Sequence, residues 1–186
     1  MPEIEVRPAI ASDIPLLVAL DHHYISDRVW QMELRSRDEA SHDDEQVRMI
    51  YFRQVRLPRS VRVEYPRSPR SLANDWTSRS GILVAVLAGR PIGYTSLMLN
   101  IVPRTTWISD LVVDRPLRRQ GIGSALMLAA FEWASNMATQ NLVLEMQPKN
   151  HPAFQLSLKL GFEFCGYNDR YYNNREIGIF LGKSVH

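Results

Sequence analysis

The chain has 186 residues, a single cysteine at Cys165 and a formal net charge of +2. That length suits one domain, 1–186, with a sizeable core, while one cysteine excludes an internal disulfide framework and a cysteine-rich zinc site. No apolar run approaches the roughly 18 residues of a membrane span, the first residues lack the basic start and apolar stretch of a signal peptide, and the charge balance gives no global field for nucleic acid; a cytoplasmic protein without a membrane partner is expected.

In chain order, Ile4–Arg7 reads as a short strand. Ser12 is a helix N-cap candidate, followed by a helix with Leu16, Leu17, Ala19 and Leu20 on its apolar side and Pro15 in its first turn. Val29–Leu34 and Gln46–Phe52 are rich in β-branched and aromatic residues and read as two strands around a charged loop; a helix for the second stays open. Arginines crowd 28–79, with an acidic knot at Asp38-Glu39 and Asp43-Asp44-Glu45. This Arg-rich insert, about 28–80, reads as a solvated region or as a rim on the acceptor side. Pro58, Pro66 and Pro69 punctuate a loop, and Leu72–Trp76 suits a short helix.

From Gly81 the pattern sharpens. Ile82–Leu87 and Ile92–Leu99 form an antiparallel hairpin through Ala88-Gly89-Arg90-Pro91. Thr106–Val113 is the next strand. The helix after it carries Leu126, Ala129, Ala130, Trp133 and Met137 on one face. Asn141–Met146 is a strand apolar on both sides apart from Glu145. A helix spans Asn150–Leu160 and ends at Gly161. Phe162–Tyr167 and Glu176–Leu181 are the final strands. The order is that of an α/β fold, a mixed sheet with helices on its faces.

The motif with most chemical content is Arg118-Arg119-Gln120-Gly121-Ile122-Gly123-Ser124, between a strand and a helix. The first N–H groups of a helix lack internal partners and lie at the positive end of its dipole. Glycines let such a turn approach an anion closely. The five histidines show no metal-ligand spacing, and His22-His23, read as helical, cannot share a face, so no metal is expected. Cys165 reads as a buried strand residue. Trp30, Trp76 and Tyr51 are candidates for an acceptor pocket or for packing.

Ile108–Gly123 resembles the acetyl-CoA signature of the GNAT N-acyltransferase superfamily, with Arg118, Gly121 and Gly123 at its three fixed places. Asn150, Ala153, Lys159, Gly161 and Phe162 are similar to a second block of that superfamily. The likeness covers Gly81–Leu181 and extends to the ribosomal-protein alanine N-acetyltransferases and the streptothricin-type acetyltransferases. It implies a mostly antiparallel sheet with one splayed parallel pair. It implies acetyl-CoA as co-substrate, its diphosphate on the N–H groups of Arg118, Arg119, Gln120, Gly121, Ile122, Gly123 and Ser124, its pantetheine along Leu111, Val112 and Val113, and Asn150 beside it. The reaction implied is direct attack of a primary amine, of a small molecule or a peptide N-terminus, on the thioester. The base is Glu145, with Asp110 competing. The superfamily's thiolate acid, a tyrosine, is replaced here by Ser157. Proton delivery then falls to a water on Ser157, to Tyr167, Tyr171 or, first among them, Tyr172, or to no group at all. A non-catalytic acyl-CoA sensor on the same fold is the rival reading, and a homodimer stays open.

Overall fold

A computed structural model describes residues 4–37 and 47–185. The acidic knot, Gln46, His42 and His186 lie outside the described residues. Strand β1 (Ile4–Pro8) leads through a 3-10 turn into the short helix α1 (Ile14–Val18). Ser12 does not cap it. Asp13 is the N-cap residue but makes no side-chain bond into the helix; its carboxylate instead accepts the Ile10 N–H at 2.9 Å, at the 3-10 turn, and Arg7 Nη1 at 2.7 Å. The helix stops at Val18, so His22 and His23 stand in an extended linker rather than on a helix.

Strands β2 (Tyr24–Arg37) and β3 (Val47–Val63) form a separate two-stranded antiparallel ribbon. Pro58 lies within β3, not in a loop. The pairing jumps from Ser26↔Val61 to Arg28↔Arg56, so Pro58 falls in a stretch with no register partner, where its missing N–H costs no ladder bond. A two-stranded ribbon is marginal alone. This one is tied to the body where Trp30 stacks on Phe154, ring centroids 4.3 Å apart, and where the Trp30 N–H donates to Pro148 O at 3.0 Å. Helix α2 (Pro69–Asp75) follows.

The main sheet has seven strands in the order β1-β4-β5-β6-β7-β9-β8: β4 (Gly81–Leu87), β5 (Arg90–Met98), β6 (Thr105–Val113), β7 (Asn141–Met146), β8 (Glu163–Asn168) and β9 (Gly178–Ser184). Only β6 and β7 run parallel. Alternation along β4 divides the core. Ile82, Val84 and Val86 face a cluster with Ile14, Leu17 and Leu72, beneath α1 and α2. Leu83 faces the other cluster, with Met127 and Ala130 of α3 (Ile122–Asn136) and Phe154 of α4 (His151–Lys159). Helices therefore cover both faces.

Two further expectations change. The buried stripe of α3 is Ile122, Leu126, Met127, Ala130 and Ala134, with Ala129 and Trp133 partly buried against the core; Met137 is exposed, because the helix ends at Asn136 and leaves it as the C-cap. Cys165 is exposed, because β8 is the sheet's edge strand.

Candidate active site

The parallel ladder of β6 and β7 runs only from Thr105↔Asn141 to Ile108↔Leu144. Beyond it the strands part. On its other side β6 shifts register against β5 between Asp110↔Ser96 and Ile108↔Leu97, leaving Ser109 as the extra residue. A bulge bends its strand and sharpens the local twist, and this one sits where the splay opens.

A cleft of about 630 Å³ lies above that opening, lined by Leu111, Val112 and Val113 of β6, the first residues of α3, and Asn150, Ala153 and Lys159. Its floor at the α3 end is the turn that opens the helix. Gly121, the N-cap, has φ +88°, a left-handed conformation that a side chain strains. The first helical hydrogen bond is Ala125 N–H to Gly121 O at 3.0 Å. Among the described residues no protein acceptor meets the N–H groups of Ile122, Gly123 and Ser124, nor those of Arg119 to Gly121. Arg118 differs: its N–H donates to Arg115 O, so the free series begins one residue later than the sequence suggests. The Arg118 side chain is also fully engaged, donating to Val113 O at 2.8 Å, His23 O at 2.8 Å and Asp21 O at 2.6 Å. It fixes the turn instead of offering a mobile cation. The exposed side chains of Arg119, Arg115 and Lys159 supply positive charge at the rim. Gly123 admits α4 closely: a Cβ there would stand 3.1 Å from Leu156 Cδ2. Asn150 caps α4, its Oδ1 accepting the Ala153 N–H at 3.3 Å.

Just past the end of the β6–β7 ladder stand two buried carboxylates, Asp110 and Glu145. Glu145 accepts from Arg67 Nη2 on Oε1, and from Trp107 Nε1 and Tyr171 Oη on Oε2. Asp110 accepts from Tyr65 Oη at 3.0 Å, Ser109 Oγ at 3.1 Å and Arg79 Nη1. Arg67 spans the gap, donating to Ser109 O on β6 at 2.8 Å and to Glu145 on β7, with Asp110 3.9 Å away. Burial works against its charge, but Glu145 and Asp110 outweigh that and hold its pKa above the ordinary arginine value. Two anions and two guanidiniums therefore balance. His22 and Tyr65 line both the cleft and the narrow depression around Asp110. His22 Nδ1 bonds Leu20 O at 2.7 Å and Nε2 lies 3.2 Å from Tyr94 Oη; burial lowers its pKa, so the ring is neutral near pH 7.

The structure thus gathers Leu111, Val112, Val113, Arg119, Gly121, Ile122, Gly123, Ser124 and Asn150 on one cleft; Asp110 lines the adjoining depression instead, and Glu145 is buried beside it, lining neither, with Arg67 bridging the two. It does not bring Ser157 there: that residue is fully buried, and its Oγ donates to Ala153 O at 2.9 Å within α4. Tyr172 is buried against Arg67 and Tyr171, off the cleft wall. Gln120 is exposed at the turn. Trp30 packs on Phe154, Tyr51 is exposed on the ribbon, and Trp76 packs beside the α1–α2 cluster. Sequence reasoning missed Arg67, Arg79, Tyr65, His22 and Trp107 as parts of the site. The only signal for the two arginines was the Arg-rich insert itself.

Residues 44–162 match the family model described as acetyltransferase (GNAT) family. The chain belongs to the GNAT family. It is 30% identical over 98 residues to the streptothricin acetyltransferase of Streptomyces lavendulae, a match spanning 53% of this chain and 51% of that relative. It is 33% identical over 110 residues to the glucosamine 6-phosphate N-acetyltransferase of Trypanosoma brucei brucei, spanning 52% and 71%. The chain thus matches about half the length of the first relative. Two solved structures share the fold across nearly the whole chain. Nourseothricin acetyltransferase superposes with TM-score 0.79 at 22% identity, covering 98% of this chain and 99% of that one. A protein assigned as a streptothricin acetyltransferase from Bacillus anthracis str. Ames, in complex with acetyl coenzyme A, superposes with TM-score 0.75 at 21% identity, covering 98% and 99%. No helix of the described residues is long and apolar enough to cross a membrane.

Proposed function

We propose that this GNAT protein transfers an acetyl group from acetyl-CoA to a primary amine by direct attack within a ternary complex. The observation that carries the reading is the row of unpartnered N–H groups at Ile122, Gly123 and Ser124, opening onto a cleft that ends at the splayed strands. A diphosphate there would meet aligned amides and the helix dipole. The pantetheine would run along Leu111, Val112 and Val113, with Asn150 opposite, and bring the thioester to the splay.

Attack requires an amine with a free lone pair, a donor to the developing oxyanion and protonation of the leaving thiolate. Glu145 is the proposed base. Its Oε2 takes two donors but Oε1 only Arg67, which leaves a lone pair without a protein donor; the side chain is 1% exposed, so an amine would have to reach it through the splay. Asp110, held by three donors, is the competing base and otherwise fixes the bulge. The oxyanion donor is a strand N–H near Val112. Because the carboxylates and guanidiniums cancel, bulk charge does not select the acceptor, and shape and hydrogen bonding must. The two named relatives suggest a streptothricin-like antibiotic and glucosamine 6-phosphate as acceptors to compare, and the sequence likeness to ribosomal-protein alanine N-acetyltransferases adds N-terminal peptides.

The rival reading, an acyl-CoA sensor without turnover, draws support from Ser157, whose hydroxyl is buried inside α4. A thiol-release screen separates the two. Amine-dependent release of coenzyme thiol is expected. Tight acetyl-CoA binding with no release against any amine would favour the sensor.

A further inference from the structure

Resting on that reading, we propose that Tyr24, at the start of β2, is the group that protonates the departing coenzyme thiolate. The C–S bond of a tetrahedral intermediate breaks more easily when a hydrogen-bond donor meets the sulfur as it gains charge. Ser157 is turned into its own helix. Tyr171 is engaged with Glu145, Tyr172 lies off the cleft, and Tyr167 packs beside Phe52. Two tyrosines line the cleft wall, Tyr24 and Tyr65, and Tyr65 donates to Asp110.

Tyr24 is placed for the role. It lines the cleft with Asn150 and Ala153, and its Oη donates to Gln147 Oε1 at 2.9 Å. Gln147 follows directly on β7, where the splay opens. It is itself fixed, its Nε2 donating to Glu176 Oε2 at 2.6 Å, while Lys149 Nζ holds Glu176 Oε1 at 3.0 Å. The phenol is therefore oriented by a chain of polar groups that runs from buried Gln147 to a partly exposed ion pair. Burial, with Glu176 adding to it, raises the phenol pKa; this makes the hydroxyl a weaker acid, so it gives up its proton only as charge builds on the sulfur beside it, and its placement rather than its acidity suits it to the role. A rotation about the C–O bond, without moving the ring, takes that proton from Gln147 towards the cleft.

In the step, the amine nitrogen forms the C–N bond and gives its proton to the base. The C–S bonding pair leaves with sulfur and takes the Tyr24 proton, releasing coenzyme thiol. The phenolate recovers a proton from water, and the base returns its own to solvent, so protons balance over a turnover.

The test compares wild type, Tyr24→Phe and Ser157→Ala in steady-state thiol release with the best amine of the screen, alongside calorimetric coenzyme binding. Tyr24→Phe should lower kcat by about tenfold or more with KM for acetyl-CoA and coenzyme affinity nearly unchanged. Ser157→Ala should keep wild-type kcat. An unchanged kcat in Tyr24→Phe, or a loss of coenzyme affinity parallel to the loss of rate, would overturn the assignment. A second variant with a fluorinated tyrosine at position 24, nearly isosteric but more acidic, covers the case in which Tyr24→Phe does not fold. Its kcat should change and show an alkaline limb at lower pH, and a profile indifferent to fluorination refutes the proposal. A wild type that binds coenzyme but releases no thiol overturns the acetyltransferase reading, and this assignment with it.

Discussion

At the scale of single residues, the site depends on which polar groups still have capacity. Ile122, Gly123 and Ser124 have donors to give, and Glu145 Oε1 has one lone pair beyond Arg67. Glu145→Gln keeps the shape but not the proton acceptor. It should lower kcat by about a hundredfold, as loss of a general base does, and leave coenzyme affinity close to wild type; near-normal turnover would move the base role to Asp110 or to water. Asp110 answers to stability instead. It is 3% exposed and faces Arg79, whose side chain is 7% exposed. Asp110→Asn leaves that guanidinium without its buried anion, and breaking such a pair costs about 3 kcal/mol, reduced by the contact Arg79 keeps with Asp75. Denaturant unfolding measures it, and a loss below about 1 kcal/mol, the worth of an exposed pair, would contradict the account. These pairings were the least legible part of the sequence. Arg67 and Glu145 are 78 residues apart, and nothing in the spacing of an Arg-rich stretch separates an arginine that reaches a buried carboxylate from one that stays in water.

At the scale of elements, the bulge on β6 and the short β6–β7 ladder create the site. Gly93 on β5 protects that geometry. A Cβ there would sit 2.7 Å from Val112 O and 3.3 Å from Val113 Cα, both backbone atoms that cannot swing aside. Gly93→Ala should push β5 from β6 where the pantetheine would run, costing about 1–3 kcal/mol as overpacking does and weakening coenzyme binding. A variant with unchanged unfolding midpoint and affinity would show the strands more pliant than this. Most elements were legible because their patterns are strong: β7 is an apolar run with one carboxylate, and the β4–β5 hairpin has its turn signal. The beginning of α3 carries no polar cap signal, because a left-handed glycine caps it. The length of the β2–β3 ribbon was hidden by Pro58, which the interrupted register accommodates.

At the scale of the molecule, buried titratable groups tie stability to pH. Burial lowers the pKa of His22 below 6.5, with Arg118 adding to it and Asp110 and Asp21 opposing. His151 is lowered by burial and then Arg28. Arg7 lowers Asp13 below 3.8. Each group binds protons more weakly folded than unfolded. The histidine contributions are therefore complete above about pH 6.5 and disappear as pH falls through the lowered folded values; that of Asp13 is complete above about 3.8 and fails below it. Thermal unfolding should show Tm falling from pH 7 to pH 5, with a shallower fall in His22→Gln. A Tm flat over that interval would contradict the neutral, buried His22. The seven-stranded sheet, the ribbon and the helices converge on one cleft whose end is a set of backbone amides. Diffraction from crystals grown with acetyl-CoA tests that convergence most directly. The diphosphate should lie on the N–H groups of Ile122, Gly123 and Ser124 with the thioester in the splay above Glu145. Density for the coenzyme anywhere else, with those amides bare, would contradict the account.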